Sequence, residues 1–303
     1  MDILIYQRTI KTEVSAIGVG LHSGCRVNLT LKPAAVDHGI EFVRTDLPSK
    51  PRVLCDPLLV DGSRLSSTLI APDNVRIGTI EHLMSAFACF GIDNLIVELS
   101  ASEVPIMDGS SNSFLYLLDQ ASVIEQDKYK RYIKILQPME VVEADKWVKL
   151  SPYPGYKVKL TLQFDHPLCQ GENSTLEVDF AKQSYISEVS RARTFAFMYD
   201  VEKIRNNGLG LGGNLNNAVV IDEDAPLNAS GLRFEDEFVR HKILDAIGDL
   251  YIVGHQIIGA FEGYKSGHAI NNRLLRQLLE NPGSWEYVTF KDEADVPNSF
   301  HHK

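Results

Sequence analysis

The chain has 303 residues, 44% of them hydrophobic and 23% charged, which are proportions of a globular protein long enough for two domains with separate cores. A formal net charge of −10 excludes non-specific nucleic-acid binding, which needs a basic face, but leaves room for one anionic small molecule held by a few lysines or arginines. No apolar run reaches about 18 residues, so no membrane span is expected.

The first residues lack the basic-then-apolar pattern of a signal peptide, and Cys25, Cys55, Cys89 and Cys169 form no CxxC pair. A cytoplasmic protein with free thiols is expected. Residues 3–45 read as strands, with clean alternation over 26–31 and a further strand over 39–44. A Gly-rich turn at 18–24 carries His22. Residues 46–68, rich in Pro, Asp and Ser, read as an insertion. A helix over 79–90, closed by Gly91, leads into a strand at 95–99, a turn at 105–111 and a second helix to about Gln120.

The polar run 125–130 reads as the boundary between domains spanning 1–126 and 130–303. Strands follow at 132–136, 140–142, 147–150 and 156–164, then a mixed segment over 184–218 and a strand at 218–221. After a long helix come a strand at 256–261, a turn at 263–268 and a helix through Leu279. Both halves run strands, a helix with a His near its start, Gly, an apolar strand, a turn and a helix. The fold class is therefore α+β: two similar domains, each a β-sheet packed with helices, which if packed face to face would bring His82 and His241 together at their interface.

The most informative stretch is the long helix, 238–254. At 100° per residue His241, Asp245 and Asp249 fall at roughly 0°, 40° and 80°, with Lys242 near 100° and the apolar residues on the opposite arc. Gly248 lies beside this stripe and leaves room for a ligand to approach. His and Asp at i, i+4 point the same way and can share a metal ion, although a solvated face with a His–Asp hydrogen bond has the same pattern. The apolar character of the helix and a third candidate, His82, favour the metal. Two His and one carboxylate make a site with an open position, as catalytic zinc requires. Glu81 points about 100° away from His82 on its helix, so it is better placed to act on an activated water than to bind the same ion.

His268, in a Gly-containing turn, is the next candidate; His22 and His166 have less to distinguish them from exposed or hydrogen-bonded residues. The run 208–213 fits GxGxxG formally but follows a polar segment rather than a strand, which argues against a dinucleotide site. The same ligand set could serve an Fe(II) oxygenase, or a nucleotide-sugar binder with a structural metal.

Several motifs carry a family resemblance: Gly20-Leu-His-Ser-Gly24, Thr79-Ile-Glu-His82, Ala101-Ser-Glu-Val-Pro-Ile-Met-Asp-Gly-Ser110, Ser190-Arg-Ala-Arg-Thr-Phe195, residues 234–250 and Lys265-Ser-Gly-His268. In this order they closely resemble UDP-3-O-acyl-N-acetylglucosamine deacetylase, the zinc amidase of lipid A biosynthesis in Gram-negative bacteria, over about residues 5–295. The resemblance implies an active site at the domain interface, with one Zn2+ (Fe2+ in its place being possible) on His82, His241 and Asp245, Glu81 as general base and His268 as general acid. It further implies that Thr194 holds the oxyanion and Asp249 pairs with His268. Lys242 and Lys265 would meet the substrate diphosphate and Phe164 the uracil. A segment near 187–217, with Phe195, Met198, Ile204 and Leu209, would form an acyl passage. The implied reaction releases acetate from UDP-3-O-acyl-N-acetylglucosamine, in the committed step of the pathway, by a protein expected to be monomeric.

Overall fold

The computed structural model describes residues 2–62, 65–169 and 171–302; Ser63 and Arg64, part of the expected 46–68 insertion, lie outside them. Alternating burial along Arg26–Pro33, where Val27, Leu29 and Leu31 point inward, is the period-2 pattern of a half-buried strand. That strand pairs with Val14–Val19 and Leu95–Leu99, and the sheet continues through Ile40–Arg44 to Arg52–Leu54. A second sheet orders Met139–Glu143, Lys146–Ser151, Gln256–Tyr264, Tyr132–Ile135 and Trp285–Val288, with Tyr156–Thr161 also on Gln256–Tyr264. Each sheet thus centres on the strand that leaves a helix, Leu95–Leu99 in one and Gln256–Tyr264 in the other. The fold is α+β in two similar halves.

Among the described residues the α-helices are α1 (Glu81–Phe90), α2 (Asn112–Ala121), α3 (Tyr185–Glu188), α4 (Met198–Asn206), α5 (Glu237–Tyr251) and α6 (His268–Glu280). Gly91 ends α1 in the left-handed conformation, φ 63°, donating its N–H to the Ala88 and Phe87 carbonyls. Helix α5 is buried on nearly all sides because it packs on α1 along one flank and on the second sheet along another. Among the described residues no helix is long and apolar enough to cross a membrane, and all four cysteines are free.

Three expectations change. The segment 46–68 is not wholly an insertion: Arg52–Leu54 is an edge strand of the first sheet, and Val60–Asp61 joins a small sheet with Thr68–Ala71 and Val75–Ile77. The polar run 125–130, read as the domain boundary, is itself structured. Val123–Tyr129 is a strand on Tyr6–Ile10, and Lys130 is fully buried, its ammonium on the Asp93 carboxylate at 2.5 Å and the Gly91 carbonyl at 3.0 Å. A buried charge needs that pairing, and its partner is too distant in sequence to be anticipated.

Gly248 does not leave room for a ligand. A Cβ there would stand 1.9 Å from the backbone oxygen of Glu81, so the missing side chain is what lets α1 and α5 touch. Gly→Ala in a helix ordinarily stabilises by about 0.5–1 kcal/mol. Gly248→Ala is instead expected to destabilise by about 1–3 kcal/mol, because a backbone atom cannot step aside cheaply. A thermal melt checks this, and a raised Tm would contradict the close approach.

Candidate metal centre and active site

The α1–α5 contact carries the polar groups. His82 on the first turn of α1 and His241 and Asp245 on α5 are all buried, at 3%, 2% and 4% exposure. Asp245 Oδ1 lies 3.3 Å from His241 Nε2 and 3.4 Å from His82 Nε2, yet it is a buried oxygen with no hydrogen-bond partner. Ligands at 2.0–2.2 Å around a tetrahedral ion stand about 3.3–3.6 Å apart. Both Asp245 separations match that spacing, all three ligand atoms lie within 4.8 Å of one another, and the orphaned oxygen separates this arrangement from a simple His–Asp hydrogen bond.

The protonation states agree. Burial pushes His241 down to about 3, so the ring is neutral, and its Nδ1 donates to the Ala192 carbonyl at 3.1 Å, which leaves the Nε2 lone pair free. Burial would raise Asp245, but the Lys242 ammonium beside it opposes that, and the carboxyl is held well below the usual carboxylate range. Asp245 Oδ2 accepts from Lys242 Nζ at 2.8 Å. A neutral imidazole and an ionised carboxylate are the forms that bind metal.

Glu81, 3% exposed, is raised to about 7 by burial. Its Oε1 lies 3.8 Å from His268 Nε2. His268 opens α6, and its Nδ1 contacts both Asp249 oxygens at 3.1 and 3.0 Å. Burial alone would lower His268, but Asp249 and Glu81 outweigh it and raise the ring to about 9. The carboxyl is thus drawn up to neutrality and the imidazole held above it, two groups able to exchange protons near neutral pH.

Thr194 is held by its backbone: its N–H donates to the Gly109 carbonyl at 2.8 Å and its carbonyl accepts from Val219 N–H at 2.8 Å. The preceding Arg193 is clamped to the buried Glu237 at the start of α5, with Nε to Oε1 at 2.8 Å and Nη2 to Oε2 at 3.0 Å. Residues 192–194 are therefore registered on α5, which brings the Ala192 carbonyl to His241 and the Thr194 side chain to the cavity. That cavity, about 300 Å3, is lined by the ligand residues, Glu81, His268, Thr194 and Lys242, and continues between apolar walls that include Leu21, Phe164, Phe195, Val201 and Ile204.

Phe164 packs on Phe195 and Phe197 with ring centroids 5.7 and 5.2 Å apart. Met198 and Leu209 do not line this cavity; Met198 is 48% exposed at the start of α4. Lys265 does not line it either and is ion-paired with Asp145. His22 does: its backbone N–H donates to Glu103 Oε1 at 2.9 Å, its Nδ1 accepts from Gly210 N–H at 3.4 Å, and its buried Nε2 has no partner. The run 208–213 is a loop packed on residues 20–22 by Leu211 N–H to the His22 carbonyl and Gly212 N–H to the Leu21 carbonyl, not a strand-to-helix turn. His166, whose Nε2 donates to the Asp222 carbonyl at 2.8 Å, stays structural. Periodicity missed the Ala192 carbonyl and Ser67, whose N–H donates to Glu81 Oε2 at 3.1 Å and whose hydroxyl donates to Asp249 Oδ1 at 2.6 Å, because neither a carbonyl partner nor a serine in a Ser-rich stretch leaves a spacing signal.

The family model for UDP-3-O-acyl N-acetylglycosamine deacetylase matches residues 7–280. The chain belongs to that deacetylase family. Proteins named UDP-3-O-acyl-N-acetylglucosamine deacetylase resemble it along nearly their whole length. The one from Chromobacterium violaceum is 60% identical over 298 residues, covering 98% of each chain. That from Neisseria meningitidis serogroup A is 58% identical, covering 97% of each, and that from Xanthomonas campestris pv. campestris is 52% identical, covering 96% of each. Family membership and a three-residue set able to hold a metal ion, His82, His241 and Asp245, coincide in this deacetylase fold.

Proposed function

We propose that the chain is a zinc-dependent deacetylase that hydrolyses the N-acetyl group of UDP-3-O-acyl-N-acetylglucosamine, releasing acetate and a free amine in lipid A biosynthesis. The observation that carries the reading is the orphaned Asp245 Oδ1 shared between two imidazole nitrogens on the wall of a cavity that also holds Glu81 and His268. Zn2+ suits two imidazoles and a carboxylate, and Fe2+ can take the same set. Such an ion, when bound, supplies Lewis-acid polarisation of the acetyl carbonyl and acidifies water.

The chain's own residues do the rest. Glu81, drawn up towards neutrality by burial, accepts the proton of the attacking water. The Thr194 hydroxyl donates to the oxygen on which negative charge develops. His268, oriented through Nδ1 by Asp249, presents Nε2 to the departing nitrogen and delivers the proton. Lys242 holds Asp245 in place and faces the same cavity, which suits a contact with substrate phosphate. Lys265 would have to leave Asp145 to do so.

The aromatic wall at Phe164 suits a nucleobase, and Phe195, Val201 and Ile204 suit an acyl chain; Met198 and Leu209 could meet it only beyond this cavity. The domain division at residues 1–126 and 130–303 then falls at the end of Val123–Tyr129, which pairs with Tyr6–Ile10 of the first half, and with a main sheet in each half the substrate would sit between them. Acetate release from the 3-O-acylated UDP-sugar should exceed that from UDP-N-acetylglucosamine by roughly 10²-fold or more in kcat/KM, since remote apolar binding energy serves the reacting centre. Equal rates on the two would contradict the acyl passage, and no acetate from either would contradict the function.

A further inference from the structure

Ser67 lies between the short strands Val60–Asp61 and Thr68–Ala71 and is fully buried. All three of its polar groups are committed to α1, its entry or α5. Its N–H donates to Glu81 Oε2 at 3.1 Å, and its carbonyl accepts from the Ile80 N–H at 3.2 Å, at the entry to α1. Its hydroxyl donates to Asp249 Oδ1 at 2.6 Å, on α5. One residue therefore touches both the carboxylate read as the base and the carboxylate that orients His268.

Asp249 is 1% exposed, so donors rather than water decide how its carboxylate is turned. An ionised carboxylate only accepts hydrogen bonds, at about four lone-pair positions. Asn271 Nδ2 occupies Oδ2 at 2.9 Å, His268 Nδ1 faces both oxygens, and Ser67 Oγ is the separate donor on Oδ1. Without that hydroxyl the carboxylate is free to turn towards Asn271, and the His268 ring turns with it. Asn271 cannot compensate, because it reaches only the other oxygen.

We propose that Ser67 is a positioning residue that holds Glu81 and the Asp249–His268 pair in one register across the α1–α5 contact. This deepens the deacetylase reading and rests on it. Two proton transfers at one reacting centre require both groups to be held within about 0.5 Å of their working geometry, and the gap in question is the 3.8 Å between Glu81 Oε1 and His268 Nε2. Because the arm to Glu81 is a backbone N–H, a side-chain substitution at position 67 cuts the Asp249 arm alone.

The test compares Ser67→Ala and Ser67→Thr in full-length, metal-loaded protein, measuring kcat and KM for acetate release together with metal per chain. Ser67→Ala should lower kcat roughly ten- to hundredfold, the worth of a hydrogen bond to a charged group, with KM and metal content unchanged. Ser67→Thr keeps the hydroxyl and should recover most of the loss. Wild-type kcat in Ser67→Ala would overturn the proposal. A loss shared equally by Ser67→Thr, or accompanied by loss of metal, would also overturn it, since either marks a packing role. Wild-type protein that releases no acetate would fail at the earlier step, overturning the deacetylase reading and this proposal with it.

Discussion

Glu81→Gln is expected to lower kcat by roughly 10²–10⁴-fold while the metal content stays at the wild-type level. The amide keeps the shape of the side chain and still offers Ser67 N–H an acceptor, so the α1 entry should not rearrange. What disappears is a carboxylate that burial has raised to about 7, where it can take a proton and give it up again near neutral pH. Glu81 is not one of the three residues whose ligand atoms converge, so its loss need not release the ion. Kinetics and elemental analysis on the same preparation check both halves of this expectation. A near-wild-type kcat would leave Glu81 as scaffolding and require another base.

His82→Ala, His241→Ala and Asp245→Ala are each expected to lose metal and activity together, by on the order of 10³-fold or more, because the Lewis acid supplies several kcal/mol of the barrier reduction. The three should differ in stability. Asp245→Ala also removes the carboxylate that Lys242 Nζ meets at 2.8 Å, so its Tm should fall further than that of His82→Ala. Metal per chain, measured for each purified variant, decides the ligand set. Full occupancy in any one of them would remove that residue from it.

Much of this site was legible in the sequence because its parts recur at helical spacing. His241, Asp245 and Asp249 form a polar stripe on a helix that is otherwise apolar, and all three are buried. Gly91 marked the end of α1, alternation over 26–31 marked the strand Arg26–Pro33, and an apolar run after the helix marked Leu95–Leu99. The repeated element order hints that His82 converges on α5 but does not require it, since the convergence depends on how the halves pack.

The features that were not legible are tertiary. Gly248 reads as bare space along its own helix, whereas the close approach belongs to Glu81 of another helix. Lys130 is only one more polar residue at the end of the 125–130 run until Asp93 is known to sit against it. Lys265 reads as free until Asp145 is found across from it. Ser67 lies in a stretch whose composition suggests an insertion and nothing more, yet its N–H and hydroxyl reach Glu81 and Asp249. The edge strand Arg52–Leu54 was hidden for the same reason, being three residues inside a segment rich in turn formers.

Whether one metal ion on His82, His241 and Asp245 supports hydrolysis in the cavity between α1 and α5 is tested most directly by metal removal and return. The protein is stripped with a chelator, and zinc is titrated back while acetate release from UDP-3-O-acyl-N-acetylglucosamine is followed. Stripped protein should be inactive, and the rate should rise in proportion to added zinc up to one equivalent per chain. Full activity in the stripped protein, or a rate that recovers only after two equivalents, would contradict the single-ion site.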